Sequence, residues 1–348
     1  MKTVAKDSEM KTKKGSLALN RQFNIKKLLS SEITKALIAL VFVIVMGILF
    51  NANGAFYKLG THRDTLRSAS VYGILACGMT LVIISGGIDL AVGSVLALVA
   101  VMFSIMTIHW EMSPLIAIPI CIGLGALTGL VSGGLISYAK LQPFIATLAM
   151  MTFARGLARL ITGGKKVSTY MQIGSGEFIT KKLPEIFSQI DTKILGGNLN
   201  VVSVIFFVCF VITWILLAKH KWGREIYSIG GNEEAARLSG VPVNRSKTLV
   251  YIYMGALCAI AGICVAAQET QGDPGAGSGY ELSAIAMSVI GGISMSGGRG
   301  TMGMTFLGIL TMSYMEKVLS INAVPEAARL MITGVIIVIA VLAQRKSH

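Results

Sequence analysis

Charge is scarce in this sequence. Only 14% of its 348 residues are Asp, Glu, Lys or Arg, against about 25% in an ordinary soluble protein. That excludes a water-soluble globular fold for most of the length. Histidine is down to four residues, His62, His109, His220 and His348, all in polar stretches or at the terminus. Neither a Ser–His pair nor a His-based metal cluster can therefore be built inside an apolar run. The five cysteines sit singly in apolar runs without a CxxC pair, the pattern of small packing residues rather than of a disulfide or zinc site. Buried acids are also short: an intramembrane aspartyl protease needs two carboxylates, and only Asp89 qualifies. No GxxxxGK[ST] phosphate cradle is present, since neither Gly163-Gly164-Lys165-Lys166 nor Gly297-Gly298-Arg299-Gly300-Thr301 fits that spacing. A catalytic function is not expected, and no cofactor is expected in this chain. If ATP drives it, another chain hydrolyses the nucleotide.

What the sequence has in abundance is apolar length. Hydrophobic residues make up 53% and the mean hydropathy is +0.70. Apolar runs of roughly 15 to 24 residues recur between short turns, each close to what a bilayer crossing requires. They fall at about 34–54, 68–86, 88–108, 114–137, 143–162, 200–218, 249–268, 281–296, 301–320 and 328–344. The expected fold is an all-α polytopic membrane protein of about ten transmembrane helices with Gly-rich breaks. Residues 1–35 read as a basic cytoplasmic tail, and 36–348 as the transmembrane domain, whose first helix is retained rather than cleaved.

A net charge of +14 raises nucleic acid as a partner, but no basic array is interleaved with aromatics. Topology explains the charge instead. Alternating the loops from an inside N-terminus puts about 19 of the 31 Lys and Arg inside and about 8 outside, as the positive-inside rule asks. Both termini and the polar segment 219–248 then lie in the cytoplasm. The segments 163–200 and 269–280 lie outside, read as solvated loops that an external partner could meet.

Within 219–248, Glu233-Glu234-Ala235-Ala236-Arg237-Leu238-Ser239 reads as a two-turn helix. Asn232 is its N-cap, two acids occupy its first turn, and Gly240 followed by Pro242 ends it. Two Gly-rich breaks stand out, one at Gly86, Gly87 and Asp89, the other at Gly291 and Gly292. Gly87 and Gly93 recur at Gly292 and Gly298 with one offset of 205 residues, which suggests an internal repeat. Transporters place binding sites where helices are interrupted, so Gly86, Gly87, Asp89, Gly291 and Gly292 are candidates for a substrate path. Asp89 has two readings: a pathway carboxylate, or a cap for a helix beginning at Leu90. Arg155 and Arg159 share a helix face, directed to the outer interface or to an aqueous cavity.

Four blocks carry a resemblance to a known family. They are TLVIISGGIDLAVGSVLAL (Thr80 to Leu98), PFIATLAMMTFARGLARLITGG (Pro143 to Gly164), GREIYSIGGNEEAARLSGVPVNRSKTLVY (Gly223 to Tyr251) and GSGYELSAIAMSVIGGISMSGGRGT (Gly277 to Thr301). In this order they resemble the membrane permease subunits of ribose-type monosaccharide ABC importers, from about Ala36 to the C-terminus. Departures are modest: Ala149 stands where Gly is common and would add a methyl at a helix contact, and Ser294-Met295-Ser296 and Asp273-Pro274 are less usual.

The resemblance implies a permease of the bacterial inner membrane that pairs with a second copy or a sister permease. It would take a monosaccharide from an extracytoplasmic binding protein. A cytoplasmic ABC ATPase, holding ATP and Mg, would drive it. The family's ATPase-coupling loop carries over to Glu234, Ala235, Ala236 and Gly240, within the candidate segment Asn232, Glu233, Arg237 and Leu238. The competing reading is an ion-coupled secondary transporter with inverted repeats. It also explains broken helices, but it leaves the short polar helix without a role and has one buried carboxylate for coupling.

Overall fold

In the computed structural model, residues 32–173 and 177–344 are described. The basic tail expected over 1–35 lies outside these residues as far as Ser31, and Glu32 already opens the first helix. The main elements are α1 (Glu32–Leu49), α2 (Leu59–Ile84), α3 (Val92–Ser104, continued by a π-helical turn Ile105–His109), α4 (Pro114–Ser137) and α5 (Pro143–Thr162). After the segment 163–200 come α7 (Val201–Ala218), α8 (Lys221–Gly231), α9 (Glu233–Leu238), α10 (Val243–Glu269), α11 (Tyr280–Ile290), α12 (Met302–Ile321) and α13 (Glu326–Gln344).

Seven of these helices are long and apolar enough to cross a bilayer: α1, α2, α3 with its π turn, α4, α5, α7 and α10. The α11 helix, expected over 281–296, has only 11 residues, about 16 Å, short of a 30 Å hydrocarbon core. An all-α polytopic membrane protein is what forms. Its expected count of about ten spans is not reached on length and apolarity alone.

The hub is α10, 27 residues long or about 40 Å, which packs along α4, α3 and α2. Its seam with α4 depends on missing side chains. A Cβ on Gly125 would overlap the Gly255 carbonyl, one on Gly255 the Gly125 carbonyl, and one on Gly129 the Tyr251 carbonyl. Glycines four apart thus let the two backbones touch, the small-residue packing that substitutes in lipid for a hydrophobic drive between helices. Prolines at the first turns of α4 and α5 cost no hydrogen bond there. Exposed Leu, Ile, Val and Phe cover α1, α4, α5 and α7, as lipid-facing surfaces must.

Three segments differ from expectation. The polar stretch ahead of the short helix is itself helical, because Gly223, Ile226 and Ile229 of α8 fall on one buried face, and α10 starts at Val243 rather than 249. Segment 163–200 is not a plain loop. It holds the antiparallel pair β1 (Tyr170–Ile173) and β2 (Glu177–Thr180), with Tyr170 opposite Thr180, a short α6 (Glu185–Ile190), and the pair β3 (Lys193–Ile194) and β4 (Leu199–Asn200). An Arg67–Asp191 double hydrogen bond at 2.7 and 2.6 Å ties it to α2. Segment 269–280 is packed down rather than solvated. Arg155 donates to the carbonyls of Pro274 at 2.6 Å and Ala276 at 2.7 Å, and Gly277 presses its backbone on Gly93. Just outside the span, Asp273 is partly buried, which opposes its charge. Bonds from the Gly275 amide and Lys166 (3.0 Å) outweigh that and hold its carboxyl below the usual range.

Candidate functional site

The short helix forms where the residues placed it. Asn232 caps α9, accepting from the Ala235 amide at 2.9 Å, a contact worth about 1 kcal/mol. Arg237 reaches back to Glu233 at 3.0 Å, and Lys247 of α10 reaches the same carboxylate at 2.9 Å. Partial burial opposes ionisation of Glu233, but Lys247, Arg237 and Lys140 outweigh it and hold its carboxyl below the ordinary range. Six residues cannot hold a helix in water. Ala236 supplies the anchor, buried in a small cluster with Ile229 and Val243. Gly240 closes the helix at φ +80°, a conformation that costs a non-glycine residue about 1–2 kcal/mol.

What α9 leaves outward is equally plain. Asn232, Glu234, Ala235, Arg237 and Gly240 are exposed, and Leu238 is 82% exposed. The outward side of α9 is thus a capped, charged helix that ends in a bare leucine.

Behind it lies a junction that the residue pattern did not disclose. Gly230 and Gly231, the last residues of α8, lie directly against both Gly-rich breaks. A Cβ on Gly230 would overlap the Ile84 carbonyl at the end of α2, and one on Gly298 would lie 2.8 Å from the Gly231 Cα. One on Gly297 would lie 2.8 Å from the Gly230 oxygen and 3.2 Å from the Gly86 Cα. The Gly298 amide donates to the Ile84 carbonyl at 2.9 Å, and the Tyr227 hydroxyl donates to the Gly300 carbonyl at 2.7 Å. Three chain segments therefore meet backbone to backbone one residue before the α9 cap. The Gly230-Gly231 pair beside Asn232 was the available signal.

The five candidate path residues are only partly assembled. Gly86 joins the junction through Gly297, whereas Gly87 packs on the Tyr251 hydroxyl. Gly291 lies on the Met304 backbone of α12, and a Cβ on Gly292 would sit 3.2 Å from the Glu32 Cβ. The second break thus reaches the first through Gly297 and Gly298, not through Gly291 and Gly292. Nor do the matched glycines play matched parts: Gly93 is inside the first turn of α3, while Gly298 is in a loop at φ +68°.

Asp89 is buried, 5% exposed, and its Oδ1 accepts from the Ala91 amide at 2.8 Å. The helix it precedes begins at Val92, not at Leu90, so the carboxylate closes a turn two residues ahead. Its other neighbours line a small internal void with Thr128, Ser132 and Cys258. Ala149, expected at a helix contact, is exposed on α5. Among the described residues no group of His, Cys, Asp and Glu is placed to hold a metal.

Comparison with known proteins bears on what this arrangement serves. Residues 63–341 match the family described as branched-chain amino acid transport system / permease component. The ribose import permease protein RbsC of Escherichia coli (strain K12) is 37% identical over 317 residues, covering 90% of this chain and 94% of that protein. Its Bacillus subtilis (strain 168) namesake is 38% identical, covering 88% and 90%. The fructose import permease protein FruG of Bifidobacterium longum is 33% identical, covering 99% and 97%. No solved structure matches.

Proposed function

Because the chain belongs to this family of transport-system permease components, with ribose and fructose import permeases among its relatives, we infer that it is the transmembrane permease subunit of an ATP-driven sugar importer. The observation that carries this is likeness to ribose import permeases along nine-tenths of the chain. On this reading the chain is not itself an enzyme. A cytoplasmic ATPase subunit binds ATP and Mg, an extracytoplasmic protein delivers a monosaccharide, and two permease copies enclose the path.

The orientation that fits places α9 in the cytoplasm with both termini, as the charge bias asks. The ATPase then docks on α9 through Glu234, Ala235, Arg237 and Leu238, with Asn232, Glu233, Ala236 and Gly240 keeping the helix formed. When the nucleotide draws the ATPase halves together, α9 moves as a rigid piece and α8 carries the motion back to Gly230, two residues before the cap. There it meets the ends of α2 and the loop before α12. A small shift at such a contact becomes a change between two packings because a packed interface is bistable rather than elastic. Gly86 lies at that contact, on the inner end of the path. Gly87, Asp89, Gly291 and Gly292 shape the flanking helices.

The test is reconstitution in vesicles with the partner ATPase and binding protein. D-ribose uptake should require all three components and ATP. Uptake by the permease alone, driven by an ion gradient, would refute the assignment and restore the secondary-transporter reading.

A further inference from the structure

The far end of α2 and α12 carries a feature that the short helix and the glycine junction leave unexplained. There, a cavity of about 140 Å³ opens between α2, α12 and the start of α13, and eight of its nine wall residues are polar or charged, Ala69 being the exception. An adjoining cavity of about 250 Å³ shares Thr65, Ala69 and Ser313 with it. In size the pair falls within the ~300–1,000 Å³ common for small-molecule sites. A larger cavity, about 480 Å³ between α1 and α12, is walled mainly by Phe, Met, Val, Leu and Ile. It offers a polyol almost nothing to bond.

Unmet hydrogen-bonding capacity concentrates at this polar place. Among the described residues six buried side-chain polar atoms have no partner, and three of them belong to its walls: Arg63 Nε, Ser313 Oγ and Arg329 Nε. Ser313 is 7% exposed. Its neighbour Thr311 returns its hydroxyl to the helix, donating to the Leu307 carbonyl at 2.8 Å. Ser313 makes no such bond, so its oxygen is left for the cavity. A buried polar atom without a partner costs about 1–3 kcal/mol, so each one in a native structure calls for an explanation, a bound water or ligand among them.

The charges point the same way. Glu316 stands in the field of Arg329, yet no ion pair closes between them, and both line the cavity with Lys317. A carboxylate that only accepts, facing guanidinium and ammonium groups that only donate, suits a ligand whose groups do both. Vicinal hydroxyls are such groups. Tyr72 adds a hydroxyl and a ring face, held by packing on Tyr280 with centroids 4.5 Å apart.

From Thr65 the α2 helix runs 19 residues, about 29 Å, to the Ile84 carbonyl at the glycine junction. One helix thus touches both places. We propose that this cavity, centred on Ser313, Glu316 and Arg329, is an outward-facing binding station for the transported sugar, which recognises vicinal hydroxyls before the path opens inward. The proposal rests on the importer reading, and names where in the permease the substrate is first held.

The test uses the complete importer in vesicles, with D-ribose as probe and D-fructose as second probe. Ser313→Ala and Glu316→Gln should each lower the maximal uptake rate at least tenfold. The concentration of sugar-loaded binding protein giving half-maximal uptake should shift less than twofold, because docking is intact, and stimulation of ATP hydrolysis should persist. Ser313→Ala removes one oxygen only, so it reads the site even if the Glu316 variant fails to accumulate. Uptake within twofold of the parent for either well-folded variant would overturn the proposal. So would a rise in the half-saturating concentration that accounts for the whole loss, which would make the cavity part of the binding-protein docking surface. Absence of uptake of either sugar by the parent importer would instead refute the functional reading on which this one stands.

Discussion

Glycine brings backbones into contact at several places in this molecule, and two of them are built differently. Along the α4–α10 seam, Gly125, Gly129 and Gly255 lie inside continuous helices, and each missing Cβ faces a carbonyl of the other helix. At the junction, Gly230 ends a helix whereas Gly297 and Gly298 lie in a loop at φ +79° and +68°, joined to α2 by the Gly298–Ile84 hydrogen bond. The seam has its helical hydrogen bonds satisfied within each partner, so nothing is released if the helices stay put. The junction depends on bonds between segments, and such bonds can be exchanged. Close packing alone therefore does not mark a hinge. What marks one is where the backbone bonds go.

The sharpest way to break this contrast is a matched pair of substitutions. Gly129→Leu should prevent the seam from closing, since overpacking costs about 1–3 kcal/mol even where side chains can yield and here the obstacle is backbone. The expected outcome is loss of folded permease, read by membrane abundance and a lowered melting temperature. Gly230→Ala should leave the protein in the membrane while cutting uptake by more than tenfold. If both variants fail alike in folding, or both transport normally, the distinction between seam and hinge is wrong.

Next in size are changes on the exposed side of α9. Glu234→Lys and Gly240→Trp should lower ATP-driven uptake about fivefold to tenfold and weaken co-purification of the ATPase, without altering permease abundance. Unchanged uptake and unchanged ATPase stimulation in both would remove α9 as the docking element.

A smaller effect is expected at Asp89. Asn can accept the Ala91 amide as Asp does, so Asp89→Asn should change uptake less than about threefold, whereas Asp89→Ala should cost about 1 kcal/mol of stability. A large loss in the Asn variant at normal abundance would assign the charge to the path instead.

The smallest effect concerns Glu233. Its folded carboxyl ionises more readily than the ordinary one, so its contribution is present above the usual carboxylate range and fades as pH falls through the lowered value. Its side chain is 40% exposed, which limits the effect to a few tenths of a kcal/mol. Glu233→Gln should lower the melting temperature of purified permease by about half a degree at pH 7 and by nothing measurable at pH 3. A shift that grows toward acid would reverse the assigned sign.

Much of this was legible in the residues, and for stated reasons. Asn232, the paired acids and Gly240 predict α9 because caps and helix ends are local chemistry, and the cap and the Arg237–Glu233 bond found there span three and four residues. Asp89 was legible as a lone intramembrane acid, but the helix after it starts two residues later than expected, at Val92, and Gly93 in its first turn lies against the Gly277 backbone. Glu316 escaped notice. It lies late in an apolar run beside Lys317 and reads as a helix-end charge; only α13 crossing nearby makes it part of a site. Gly230 and Gly231 escaped for a similar reason, since two glycines before a cap look like a loop.

Composition and periodicity alone determined that the chain crosses a membrane as helices, with a polar helical island between two of its runs. Those features follow from burying backbone and apolar side chains in lipid, costs summed residue by residue along the chain. Which breaks touch, and which polar atoms face a common cavity, was decided only in the tertiary structure. Gly298 meets Ile84 across 214 residues of chain, and Ser313 shares its cavity with Thr65. Contacts of that kind depend on how helices are tilted and shifted against one another, a property no single helix carries in its own sequence.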